Sequence, residues 1–211
     1  MKLLNKNRAL CLVPHPDDTA FSMSWTVKKH PDTTFEMLYL TSGGYTDSTR
    51  GENRYKEDIQ FWNSLGVTNV QFHYLRGYEM ERELTSVLIN AIEQLVDITQ
   101  YDLMVGPTEF DSNYDHVLVN RLMMPLVRSL PITTMEYRNA STLYEWSPNL
   151  FVGLTDEEMN DKIALMWDAF PTQTDAKYFE EKNIRNFHTD FISGKRGFGY
   201  SEMFRLRHFY I

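Results

Sequence analysis

Apolar residues along the chain fall into short runs separated by longer stretches with helical spacing. Residues 8–14 (RALCLVP), 34–40 (TFEMLYL), 70–75 and 103–105 are runs of strand length. Each is followed by a segment that predicts a helix: 20–29, 52–65, 83–99 and 116–130. In the third of these, Leu84, Val87, Leu88, Ala91, Ile92 and Leu95 recur at i, i+3, i+4 and i+7, one apolar stripe of a helix. Strands alternating with helices imply βαβ units with right-handed crossovers. The expected fold is therefore α/β: a Rossmann-like, mostly parallel sheet of order 3-2-1-4-5 flanked by helices. Such sheets place ligands at the carboxyl ends of their strands, where loops lead into helices.

Beyond residue 130 the pattern is less regular. Residues 133–137 and 150–152 are strand candidates, and 156–169 reads as a helix capped by Thr155 with Glu158 three residues later. Residues 175–193 are expected to be helical, and the aromatic tail 198–211 to pack back on the domain. No internal repeat or linker interrupts the chain, so residues 1–211 are read as a single domain.

Composition narrows the function classes. A 42% hydrophobic fraction suits a globular core, yet no apolar stretch is long enough to span a membrane. A net charge of −8 argues against nucleic acid as the main partner, since Lys195-Arg196 with Arg205 and Arg207 is the nearest thing to a basic cluster. The polar residues 5–8 break any signal-peptide core. The single cysteine, Cys11, sits in an apolar run and is expected to be a buried thiol in a reducing compartment. A cytoplasmic protein is the simplest expectation. Monomer and homo-oligomer both remain open.

Two loops carry the chemistry. The first, Val13-Pro14-His15-Pro16-Asp17-Asp18-Thr19, lies where the first strand meets the first helix. Pro16 restricts His15 to extended angles, and across this turn His15 and Asp18 can converge while Asp17 points elsewhere. The same residues would also serve an ordinary turn, with Pro16 at the helix entry and an Asp as cap. The second loop, 107–116, follows the fourth strand and ends in Asp115-His116. In a 3-2-1-4-5 sheet these loops are neighbours across the switch point. A His15, Asp18 and His116 set would then supply two imidazoles and one carboxylate, with positions left open for water and substrate, as a hydrolytic zinc site requires. Alternatively, His116 is a lone histidine in a first helical turn. His30, His73, His188 and His208 are expected to be structural or exposed.

The two loops resemble the motifs of the LmbE/PIG-L family of zinc-dependent N-deacetylases. The family's A-H-P-D-D-E stands here as Pro14-His15-Pro16-Asp17-Asp18-Thr19, and its D-x-H-P-D-H as Asp111-Ser112-Asn113-Tyr114-Asp115-His116. Fainter echoes run through Thr41-Ser42-Gly43-Gly44, Arg54 and Glu57 with Leu65-Gly66-Val67, Lys162 with Thr172-Gln173, and Tyr200-Ser201-Glu202-Met203-Phe204. The resemblance implies that His15, Asp18 and His116 hold a divalent metal, zinc or another such as iron(II). It implies Asp17 as the general base and an N-acetylglucosamine-type sugar or glycoconjugate as substrate.

This chain departs from the pattern at Asn113, where the family has a histidine that supports the oxyanion or acts as an acid. An amide can still donate a hydrogen bond there but cannot transfer a proton. Asp115 orients a neighbour in the family, and here that partner is expected to be lost or replaced. Thr19 replaces the acid after the Asp pair, and Ser22-Met23-Ser24-Trp25 replace small residues, so a differently shaped pocket is expected. Arg54 is a candidate for binding a polar or anionic group of the substrate, or else forms a surface pair with Glu57 one helical turn away. Two rival functions stand beside the hydrolase. One is a non-haem iron oxygenase, whose facial triad also uses two histidines and a carboxylate, though usually as H-x-D on a β-barrel. The other is a sugar-binding module without catalysis, against which the retained Asp17 argues.

Overall fold

A computed structural model describes residues 1–44, 47–75, 83–190 and 194–210. Seven strands, β1 (Arg8–Val13), β2 (Thr34–Tyr39), β3 (Val70–Tyr74), β4 (Leu103–Pro107), β5 (Thr133–Tyr137), β6 (Leu150–Leu154) and β7 (Tyr200–His208), form one sheet. Its order is β3-β2-β1-β4-β5-β7-β6. The first five strands are parallel and take the expected 3-2-1-4-5 order, while β7 pairs antiparallel with both β5 and β6.

The near-continuous apolar runs of the central strands follow from burial on both faces. Along β1, Ala9, Cys11 and Val13 enter one core and Leu10 and Leu12 the other, the two-residue period of a strand. The first core lies under helices α1 (Asp18–Lys29), α2 (Ser48–Leu65) and α5 (Asp156–Ala169), with Phe21, Trp25, Phe61, Trp62 and Met166 among its buried members. The second lies under α3 (Thr85–Leu95) and α4 (Tyr114–Val127), which contribute Leu88, Ile92, Val119 and Leu122. Among the described residues no helix is long and apolar enough to cross a membrane.

The structure differs from the pattern-based expectation in three places. The sheet is wider by two strands because the tail does more than pack back: residues 200–208 insert as an interior strand. Its buried Ser201 and Glu202 disguise it, since a charged residue in a strand reads as surface until its partner, Lys162 at 2.5 Å, is known. The segment expected to be one helix from 175 begins as turns and a 3-10 turn (Lys177–Phe179), and only Glu181–His188 forms a helix, α6; residues 191–193 lie outside the described set. The third helix stops at Leu95, because Val96 is extended and the Asp97 side chain caps a separate 3-10 turn through Thr99 N. The Thr155–Glu158 capping box of α5 is present as expected.

Candidate active site

The loop that ends β1 is tight. Asp18 N donates to His15 O at 3.2 Å, and Asp17 takes φ 107°, a region that residues with a Cβ rarely adopt. Arg54, one helical face away on α2, holds this turn. Its guanidinium donates to Pro16 O at 2.9 Å, to Asp17 Oδ1 at 3.0 Å and to Gly43 O at 2.9 Å. Gly43 has to be glycine for this to fit, because a Cβ there would lie 2.1 Å from the Arg54 guanidinium. Arg54 is buried, and Glu57 bonds Thr172, so no surface pair forms between them.

β1 and β4 are adjacent, so the loop after β4 faces the loop after β1. His15 Nδ1 lies 3.2 Å from Asp18 Oδ2, and His116 Nε2 lies 3.4 Å from the same oxygen. All three side chains are buried, with their ligand atoms mutually within 4.8 Å. A cation held at zinc-like bond lengths places tetrahedral ligands roughly 3.3–3.6 Å apart, which these two separations approach. The far nitrogens are tied as well. His15 Nε2 meets Asp115 Oδ2 at 2.8 Å, and His116 Nδ1 meets Asp111 Oδ2 at 3.1 Å. Each carboxylate accepts a hydrogen bond from one ring nitrogen, which in the neutral ring leaves the lone pair of the other facing the shared centre, the usual support for metal-binding histidines. The donor set therefore fits a divalent cation. The partner of Asp115 here is His15.

Burial works against charged imidazoles, but at His15 the Asp115 and Asp18 carboxylates outweigh it and lift the pKa to about 9. At His116, Asp18 and Asp111 lift it to about 10. Burial alone would raise Asp18, yet His116 and His15 hold it well below the usual carboxylate range. Without a cation the cluster thus stores protons between its carboxylates, and a dication would take their place. Asp17 stands apart from the three. Burial pushes its carboxyl up to about 6 against the pull of Arg54.

Two contributors, Asn139 and Tyr178, carried no sequence signal of their own. Asn139, just after β5, donates to Asp18 Oδ1 at 2.5 Å and so fixes the carboxylate that faces both histidines. Tyr178 places its hydroxyl 3.3 Å from Asp17 Oδ2 and 2.9 Å from Gln173 Oε1, while Gln173 Nε2 donates to Thr172 Oγ1 at 3.0 Å. Asn139 belongs to a strand's carboxyl end, where the general rule for parallel sheets would have sought it. Tyr178 lies in the 3-10 turn Lys177–Phe179, inside a segment whose pattern predicts a helix and marks no site. Asn113 is the N-cap of α4: its Oδ1 accepts from Asp115 N at 3.0 Å, and its Nδ2 makes no hydrogen bond among the described residues.

His15, Asp17, Asp18, Asn113, His116 and Tyr178 line one cavity of about 400 Å³. A cleft of about 460 Å³ between residues 93–99 and 126–130 contains no histidine and no converging acids. The first cavity is the one that holds the His-Asp-His cluster.

A mostly parallel α/β sheet with a buried His-Asp-His cluster that could hold one cation, and a separate carboxylate at its strand ends, defines the class. Residues 10–127 match the family model described as PIG-L, GlcNAc-PI de-N-acetylase, and the chain belongs to that family. No curated protein matches the chain in sequence. Among solved structures, it resembles N,N'-diacetylchitobiose deacetylase from Pyrococcus horikoshii, with a TM-score of 0.74 and 22% identity over 96% of this chain and 84% of the other. It resembles the zinc-inhibited form of teicoplanin deacetylase Orf2 with a TM-score of 0.66 and 12% identity over 94% and 97%. A further likeness is to GalB, the 4-carboxy-2-hydroxymuconate hydratase of Pseudomonas putida KT2440, with a TM-score of 0.67 and 16% identity over 100% and 98%. One fold thus serves deacetylases and a hydratase, and the site has to decide the chemistry.

Proposed function

We propose that this chain is a metal-dependent amide hydrolase that removes the acetyl group from an N-acetylated sugar or glycoconjugate, releasing acetate and a free amine. The observation that carries the reading is the convergence of His15, Asp18 and His116 on one centre, with Asp17 beside it and not consumed by it. Family membership and two similar deacetylase folds support the reaction class. A net charge of −8 suits a small neutral substrate better than nucleic acid. Buried Cys11 suits a reducing compartment, and the enzyme is read as cytoplasmic.

His15, Asp18 and His116 would hold the cation, zinc by preference for two nitrogens and one oxygen, with iron(II) as the other candidate. When bound, the metal supplies Lewis acidity to the amide carbonyl and to the attacking water. Asp17 accepts the water's proton and returns one to the departing amine. Arg54 keeps Asp17 Oδ1 fixed and so orients the base, and as a residue lining the cavity it is read as a contact for a polar substrate group. The unpaired Nδ2 of Asn113 faces the role of a hydrogen-bond donor to the developing oxyanion, a contribution of about 3 kcal/mol in comparable sites. Asp115 orients His15.

Purified protein supplied with metal is expected to retain about one equivalent of zinc or iron, and to release acetate from some member of a panel of N-acetylated sugars, nucleotide sugars and glycosides. Asp17→Asn is expected to keep the metal and lower turnover by roughly 10²–10⁴-fold. His116→Ala is expected to lose the metal. Undiminished metal content in the His116 variant would remove the site, and an unchanged rate in the Asp17 variant would remove its base. Silence across the panel with metal in place would leave a sugar-binding module.

A further inference from the structure

Asp17 uses its two oxygens differently. Oδ1 accepts from the Arg54 guanidinium, and Oδ2 is met by the Tyr178 hydroxyl at 3.3 Å. That hydroxyl lies closer, at 2.9 Å, to Gln173 Oε1, and it has one proton to give. Which neighbour takes the proton is decided further along. Glu57 accepts from Thr172 twice, from the backbone N–H and from the hydroxyl. With its proton spent on Glu57, Thr172 Oγ1 can only accept, and it accepts from Gln173 Nε2 at 3.0 Å. The Gln173 amide is thereby fixed with Oε1 towards Tyr178, and an amide oxygen only accepts. The Tyr178 proton therefore goes to Gln173, and a lone pair of the phenol oxygen faces Asp17 Oδ2. Phe21 and Phe179 hold the ring in place, each edge-to-face with it at centroid distances of 6.3 Å and 5.3 Å.

A lone pair at 3.3 Å suits a carboxylic acid better than a carboxylate, which has no proton to offer it. The reaction makes such an acid. Asp17 takes a proton from water as the water oxygen bonds to the acetyl carbon. It gives that proton to the amine nitrogen as the C–N bond breaks and its electron pair passes to nitrogen. In between, the proton has to wait on Asp17. Among the described residues lining the cavity, Asp17 is the one carboxyl outside the His-Asp-His cluster, and the Asn113 amide cannot carry a proton. We propose that Tyr178 is a positioning residue for the base, an acceptor aligned by Gln173, Thr172 and Glu57 that holds the acid form of Asp17 between the two transfers. Tyr178 itself neither gains nor loses a proton. The proposal rests on the hydrolase reading, and adds to it a residue that belongs to none of the motifs shared with the family.

The test is a double-mutant cycle on metal-loaded protein, read without turnover. Asp17→Asn imitates the acid form, with an oxygen left for Arg54 and an N–H for Tyr178. Tyr178→Phe is expected to lower the melting temperature by about 2–4 °C more in the Asp17→Asn background than in the parent, the worth of one hydrogen bond. An equal or smaller drop in that background overturns the proposal, because the phenol then donates to Asp17. In turnover with Asp17 intact, Tyr178→Phe is expected to lower kcat about 10-fold and to leave KM within about twofold. An unchanged kcat, or a loss carried by KM instead, also overturns it. If no acetate is ever released but the coupling in melting temperature is present, the hydrolase reading fails and the acceptor role of Tyr178 towards residue 17 stands.

Discussion

At the scale of single residues, the cluster is held by side chains that would not themselves touch a cation. Asp111 binds His116 Nδ1 with one carboxylate oxygen and the Asn113 backbone N–H with the other, so it fixes both the imidazole and the loop that presents it. Replacing such a carboxylate loosens the ring and lowers its basicity as a ligand. Asp111→Asn is expected to weaken metal binding about 10–100-fold, seen as easier stripping by a chelator, with activity recovered when metal is added in excess. Metal retention equal to the parent would deny Asp111 that part. The motif pointed to His15, Asp18 and His116 because their types and order are written in the chain. The supporting contacts of Asp111, Asn139 and Tyr178 were invisible, because they depend on which atoms meet across loops from different strands.

At the scale of elements, α1 is anchored from behind. Glu202 on β7 accepts from the backbone N–H groups of Trp25 and Thr26 and from the Thr26 hydroxyl at 2.6–3.0 Å, in the middle of the helix. One turn earlier, His188 Nε2 meets Phe21 O at 3.0 Å. Trp25 N and Phe21 O are i and i−4 partners of the helical ladder, so Glu202 and His188 meet α1 at the same turn. Glu202 in turn needs Lys162 on α5, and both are fully buried. The same helix begins at Asp18 and places Phe21 against the cavity, which links this buried pair to the site. Lys162→Met leaves Glu202 charged and buried without its cation, and a loss of about 3–5 kcal/mol in unfolding free energy is expected by denaturant titration. The double variant with Glu202→Gln is expected to lose less than the two single losses added. Strict additivity would show that the two residues act separately. Periodicity could not foresee this arrangement, since a Lys on a helix and a Glu in a strand read as solvated until the two elements pack.

At the scale of the whole molecule, stability carries a signature of pH through Asp58. This carboxyl is fully buried under α2, with the Tyr39 hydroxyl and Trp62 Nε1 donating to Oδ2 and no partner for Oδ1. Burial, with the neighbouring Asp17 carboxylate, raises its pKa to about 7 against the hydrogen bonds that favour its charged form. The folded chain therefore binds this proton more tightly than the unfolded one. Its contribution is whole below about pH 4, the ordinary carboxyl range, and is lost as pH rises through about 7. Melting temperature is expected to fall from pH 5 to pH 8 more steeply for the parent than for Asp58→Asn, which keeps an oxygen for Tyr39 and Trp62. Parallel curves would mean that Asp58 stays ionised in the fold.

By itself the sequence determined the alternation of strands and helices, hence the parallel order of the first five strands, and which residues converge as the candidate cation cluster. Both are local in origin: periodicity reports which faces are buried, and a loop's residue types report its chemistry. Only the tertiary structure decided the rest. It inserted the tail as β7, gave Asp115 its histidine, turned Arg54 onto Asp17, and brought Tyr178 from a 3-10 turn to the cavity. These outcomes depend on which distant segments share space, and a buried charge in a sequence looks like a surface charge until its counter-charge arrives from elsewhere in the chain.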